Sequence, residues 1–122
     1  MSPIDPMLFR VVFVTVPDAK IADAMAQGLV ESKLAACVNI IPHITSYYQW
    51  EGTLHKDPEF LLVIKTRAGL IFELTQYIKE KHPAKVPEVI ALPITDGHNA
   101  YLEWLGANTL FAKPTANPEF PL

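Results

Sequence analysis

The chain has 122 residues, 50% of them hydrophobic, and 13 acidic against 10 basic side chains give it a formal net charge of −3. That length suits one domain burying roughly two-thirds of its unfolded surface, and two domains would not fit. The lysines and arginines are scattered, which leaves no electrostatic footprint for nucleic acid or an anionic membrane, and no apolar run reaches the roughly 20 residues of a membrane span. The first residues lack the basic start and small-residue cleavage site of a secretory signal, so a cytoplasmic protein is expected. A single cysteine excludes an internal disulfide.

In chain order, residues 1–7 carry Pro3 and Pro6 and read as a flexible arm, with the core of a single domain over about 8–112. Residues 8–16, LFRVVFVTV, are almost uniformly apolar, the pattern of a strand buried on both faces. Pro17-Asp18 ends it; Asp18 is a candidate N-cap, and Ile21, Met25 and Leu29 recur at helical spacing, predicting a helix to about Leu34. Residues 37–66 read as one long β-hairpin turning at Glu51-Gly52, with Phe60, Leu62, Ile64 and Thr66 on one face. Strands of about fifteen residues reach about 50 Å, against about 25 Å for a helix of that length. The hairpin therefore overhangs its own domain. The overhang carries Tyr47, Tyr48 and Trp50, an aromatic patch costly to leave in water, so another subunit is expected to cover it.

Leu70, Leu74, Tyr77, Ile78 and Lys81 mark a second helix, which His82-Pro83 stops. Residues 86–94, VPEVIALPI, predict a fourth strand, confined to a sheet edge because Pro87 and Pro93 cannot donate to a ladder. Asp96-Gly97 leads into a short helix around Tyr101, Leu102 and Leu105, and residues 113–122 read as a proline-rich flexible end. The order β-α-β-β-α-β with a terminal helix predicts an α+β, ferredoxin-like sandwich, its helices on one face of an antiparallel sheet. The other face, apolar through residues 8–16, again calls for a homo-oligomer.

Polar residues stand inside these strands. Lys65 follows Leu61, Leu62, Val63 and Ile64, so its ammonium must emerge at an edge or find a carboxylate, for which Glu59 and Glu88 are candidates. One reading is an interfacial ion pair that fixes strand register. Another is an intersubunit pocket in which Asn39, Glu59 and Lys65, walled by Tyr48 and Trp50, take a small ligand or ion. A third makes Lys65 with Glu59 or Glu88 the acid and base of an enzyme. No phosphate loop, dinucleotide fingerprint, nucleophile elbow or zinc-protease motif supports it, and no catalytic activity is expected. His43, His55 and His98 lack zinc-ligand spacing and read as surface residues; Cys37 reads as a small core residue.

The stretches FVTVPD at 13–18, LVESKLAACVNIIP at 29–42, YYQWEG at 47–52, LLVIKTR at 61–67, HPAKVPEVIALPI at 82–94 and AYLEWL at 100–105 resemble the CutA1 divalent-cation tolerance family. The resemblance implies a PII-like homotrimer whose long hairpins pair with neighbouring subunits. It also implies a role in tolerance and response to copper or another divalent cation, by binding or sensing it. Some bacterial members are described with a copper site made of a first-strand cysteine and a His-His pair; those positions carry Val14, Lys81 and His82 here, and Ala84 replaces the aromatic residue that often follows His-Pro. Losing a thiolate and an imidazole predicts a weak or rebuilt site, with His82 and Glu88 as the candidate ligands. The plainer reading leaves His82 as a helix-terminal residue favoured by the dipole. The alternative function is a PII-like signalling trimer that takes a small metabolite in intersubunit pockets and answers to an unknown protein partner.

Overall fold

The computed structural model describes residues 3–111. β1 (Phe9–Val16), β2 (Cys37–Trp50), β3 (Thr53–Arg67) and β4 (Ile90–Pro93) form a sheet in the order β2-β3-β1-β4, antiparallel at every pairing. α1 (Ala19–Glu31), started by Asp18 accepting from the Ile21 amide at 2.8 Å, and α2 (Ile71–Lys81) pack on one face. Strand alternation explains the core: Val12, Val14 and Val16 of β1 and Leu62 and Ile64 of β3 project to one side, where Ala22, Met25 and Leu29 of α1 meet Leu74 and Ile78 of α2. This is the ferredoxin-like α+β arrangement that the element order predicts.

β1 is fully buried on the helix side only. Val11, Phe13 and Thr15 on its other face are half-buried, because α3 (Asn99–Ala107) covers just the end of that face, closing Leu102 and Leu105 over Phe9 and Ala36. α1 stops at Glu31, short of Leu34: the amides of Leu34 and Ala35 both turn back to the Leu29 carbonyl, and Lys33 takes a left-handed φ of 61°. β4 is shorter than residues 86–94. It pairs with β1 alone, from Ile90 opposite Phe13 to Pro93 opposite Arg10, and so lies at the sheet edge. The N-terminal residues expected to be loose are tied to α3, through the Ile4 amide donating to Asn99 Oδ1 at 2.6 Å and a 3-10 turn over Pro6–Leu8 capped by Asp5. The end expected to be flexible at 113–122 lies outside the described residues.

The hairpin is as long as the sequence predicts. Its turn residues Glu51 and Gly52 hold φ of 51° and 79°, the left-handed pair that suits a two-residue hairpin loop. Between Ile41 and Ile44 the register shifts by one residue, and His43 there takes a φ of 60°. This bulge puts Ile44, Ser46, Tyr48 and Trp50 on the face that carries Cys37, Asn39 and Ile41 lower down.

Candidate functional site in the cleft between the hairpin and the loop after α2

The cleft is built on one histidine. At the end of α2 the His82 amide donates to the Ile78 carbonyl at 2.8 Å, closing the helix before Pro83. Its ring reaches β1, with Nε2 2.7 Å from the Thr15 carbonyl oxygen, while Nδ1 accepts from the Ala84 amide at 3.0 Å. An acceptor at Nδ1 and a donor at Nε2 define the neutral tautomer. His82 therefore latches the following loop to the sheet, and that loop brings Lys85, Val86 and Glu88 to face the hairpin across a cleft of about 520 Å³.

The hairpin supplies the opposite wall. The two-residue turn fixes Tyr48 opposite His55, and their rings stack at 5.0 Å and 11°. Tyr48 Oη donates to Asp57 Oδ2 at 2.5 Å, and this bond, with the Asp57 charge beside it, raises the tyrosine pKa from its ordinary value. Trp50 and Glu59 complete that wall. Glu88 has its pKa raised, first by partial burial and then by the negative charge of Glu59. Two carboxylates thus repel one another in one aromatic-walled cleft.

Of the residues singled out in the sequence, the structure brings Tyr48, Trp50, Glu59, His82 and Glu88 into this cleft and leaves Asn39 and Lys65 out. Lys65 finds neither carboxylate: its Nζ donates to Asn39 Oδ1, a neutral partner on the adjacent strand. Six residues of strand separate Lys65 from Glu59, roughly 20 Å at 3.3 Å each, so within one protomer the two do not meet as acid and base or as an ion pair. Cys37 is half-exposed rather than a core residue, because alternation turns it from α1 and α2 toward Asn39 and the Tyr101 hydroxyl. His43 and His98 are exposed as expected, with the His43 ring 6.0 Å from that of Phe60; His55 instead stands in the cleft wall. His55 and Asp57 were legible in principle, since a two-residue turn at Glu51-Gly52 sets every cross-strand pair up to Tyr48.

The family's described copper ligand set does not fit this chain. Val14 is fully buried among the helix-facing valines, Lys81 is exposed with Nζ 5.1 Å from the Tyr77 ring centroid, and both His82 ring nitrogens are engaged. Among the described residues no three His, Cys, Asp or Glu side chains converge as a ligand set. Nor is any described helix long and apolar enough to cross a membrane.

Fold and cleft together define a small ferredoxin-like α+β protein with a polar, aromatic-walled recess beside a long hairpin. A family model described as "CutA1 divalent ion tolerance protein" matches residues 10–108. The chain is 53% identical over 94 residues to the protein CutA homolog of Xenopus laevis, covering 77% of this chain and 62% of that one, so it spans less than two-thirds of that relative. It is 48% identical over 100 residues to the divalent-cation tolerance protein CutA of Thermus thermophilus, covering 82% and 97% respectively. The crystal structure of CutA1 from Oryza sativa matches with a TM-score of 0.84 at 48% identity, over 88% of this chain and 98% of that one. The chain belongs to the CutA1 divalent ion tolerance family. The family description and the name of the Thermus relative both speak of tolerance of divalent cations.

Proposed function

We propose that this chain acts in divalent-cation tolerance as a homotrimer, taking the cation in the hairpin cleft on the carboxylates of Glu59 and Glu88. The observation that carries this reading is that Glu59 and Glu88 line one cleft, where the Glu88 pKa is raised first by partial burial and then by repulsion from the Glu59 charge. A divalent cation between them replaces the repulsion with attraction. Two carboxylates completed by water suit a hard or borderline cation held weakly, and copper(I) lacks the thiolate it prefers. His82 serves by holding the Glu88 loop in place; to ligate metal itself it must release Thr15 or Ala84.

The homotrimer is supported by the surface a single protomer exposes. Among the described residues β2 is a sheet edge with no strand on its outer side, and beyond α3 the sheet face carries Val11, Phe13, Ile41, Leu61, Val63 and Leu92, of which Ile41 and Leu92 are 44% and 42% exposed. A long unpaired edge and an apolar face both favour association with further copies. A second reading, PII-like binding of a small ligand in the same cleft, is favoured by the flat Tyr48–His55 stack beside Trp50.

The test is a calorimetric titration of copper(II) and of zinc into chelator-stripped protein, beside Glu88→Gln and His82→Ala. Saturable binding that weakens at least about tenfold in Glu88→Gln is the expected result, a charged contact being worth roughly 1.5–3 kcal/mol. Absence of saturable uptake of either metal overturns the reading and leaves the small-ligand one.

A further inference from the structure

At the end of the sheet where α3 packs, a second cleft of about 650 Å³ opens between the N-terminal turn and the C-terminal half of α3. It shares no lining residue with the first. Arg67, the last residue of β3, stands in its wall with its Cζ 4.2 Å from the ring centroid of Phe111 and 5.8 Å from that of Phe9. Its Nη2 donates to the Gly106 carbonyl at 2.7 Å. A neutral carbonyl and two ring faces do not neutralise a guanidinium, which has more N–H donors than that one bond uses. Among the described residues Arg67 Nε is buried without an acceptor, and burial draws the arginine's pKa below its ordinary range.

The same cleft is lined by two carboxylates, each committed at one oxygen: Asp5 Oδ1 accepts from the Met7 amide at 2.9 Å, and Glu103 Oε1 accepts from Asn99 Nδ2 at 3.2 Å. These negative charges disfavour a simple anion at Arg67, and Arg67 disfavours a simple cation at the carboxylates. A molecule with one charge of each sign satisfies both sides. Leu8 and Phe111, 51% and 77% exposed, offer apolar surface beside the charges. We propose that this cleft binds a small zwitterion with an apolar body, of the chemistry of a free α-amino acid, its carboxylate on Arg67, its ammonium on Glu103 and its side chain against Leu8 and Phe111. This site lies apart from the cation cleft and does not rest on the cation reading.

Calorimetric titration of L-leucine and L-phenylalanine into the full chain tests it, with N-acetyl-L-leucine and L-leucinamide as ligands that each lack one charge. Saturable binding of at least one amino acid is expected, with each one-charge analogue weaker by at least about tenfold. Arg67→Gln and Glu103→Gln should each weaken the amino acid by a similar factor while circular dichroism stays native. No saturable binding of either amino acid, equal binding of an analogue, or unchanged affinity in Arg67→Gln overturns the proposal. If Arg67→Gln does not fold, unchanged affinity in Glu103→Gln overturns it in the same way.

Discussion

Close approach between the two core-covering helices is decided at a single residue. Gly28 of α1 lies under Tyr77 of α2, and a Cβ at position 28 would overlap the tyrosine hydroxyl. Alanine gains about 1 kcal/mol over glycine in a helix interior, but overpacking costs about 1–3 kcal/mol. Gly28→Ala should therefore lower stability by about 1 kcal/mol in urea denaturation. Adding Tyr77→Phe removes the clashing oxygen, leaves ring carbon Cζ 3.0 Å away, and should recover most of that loss. In the candidate site, the bond from Tyr48 to Asp57 stabilises the neutral phenol, which is why the tyrosine pKa rises above 10.0. A raised folded-state value means that the bond's contribution is fully present below about pH 10 and is lost as pH climbs through the folded-state pKa. Ultraviolet titration against Tyr48→Phe should find Tyr48 ionising after an ordinary tyrosine, and Asp57→Asn should bring it back toward 10.0. Residue types were legible at this scale and their pairings only in part. Glu59, Glu88, Tyr48 and Trp50 stood out as polar or aromatic insertions in strands, whereas the Lys65–Asn39 bond depends on a β2–β3 register displaced by the bulge.

The hairpin is the element on which most of the account turns, and the sequence disclosed it best. β-branched and aromatic runs on either side of Glu51-Gly52 predict the length, the turn and the cross-strand pairs near it. The bulge at 41–44 was harder to see, since Pro42 hints at an interruption but does not say how many residues it absorbs. β4 is shorter than its apolar run predicts because that run begins before the residues that pair with β1, and α3's cover over Phe9 is a tertiary contact that a short apolar helix does not announce in sequence. Near the tip, Tyr47 and Leu54 are each 65% exposed and Trp50 is 42% exposed, so the hairpin has little core of its own. The proposed homotrimer predicts that Trp50→Ala weakens assembly, read by sedimentation velocity, far more than it lowers the helix content of the protomer. A variant that remains trimeric at low micromolar concentration would show that the hairpin tip does not anchor the assembly.

For the whole molecule, the fold, the family and the cation cleft stand on different footings. Fold and family follow from element order, register and sequence matches across residues 10–108. The ligand set does not follow from the family, because Val14 fills the core where some relatives are described with a cysteine, and His82 is spent on holding a loop. What the protomer does provide is a cleft lined by Glu59 and Glu88 beside Tyr48 and Trp50, and a sheet face with exposed apolar residues. The most direct measurement is anomalous diffraction at the zinc edge from crystals grown with zinc. A peak between Glu59 and Glu88 that disappears in Glu88→Gln is the expected result. Zinc bound elsewhere, or no peak with both carboxylates ordered and empty, would contradict the assignment of the cation to this cleft.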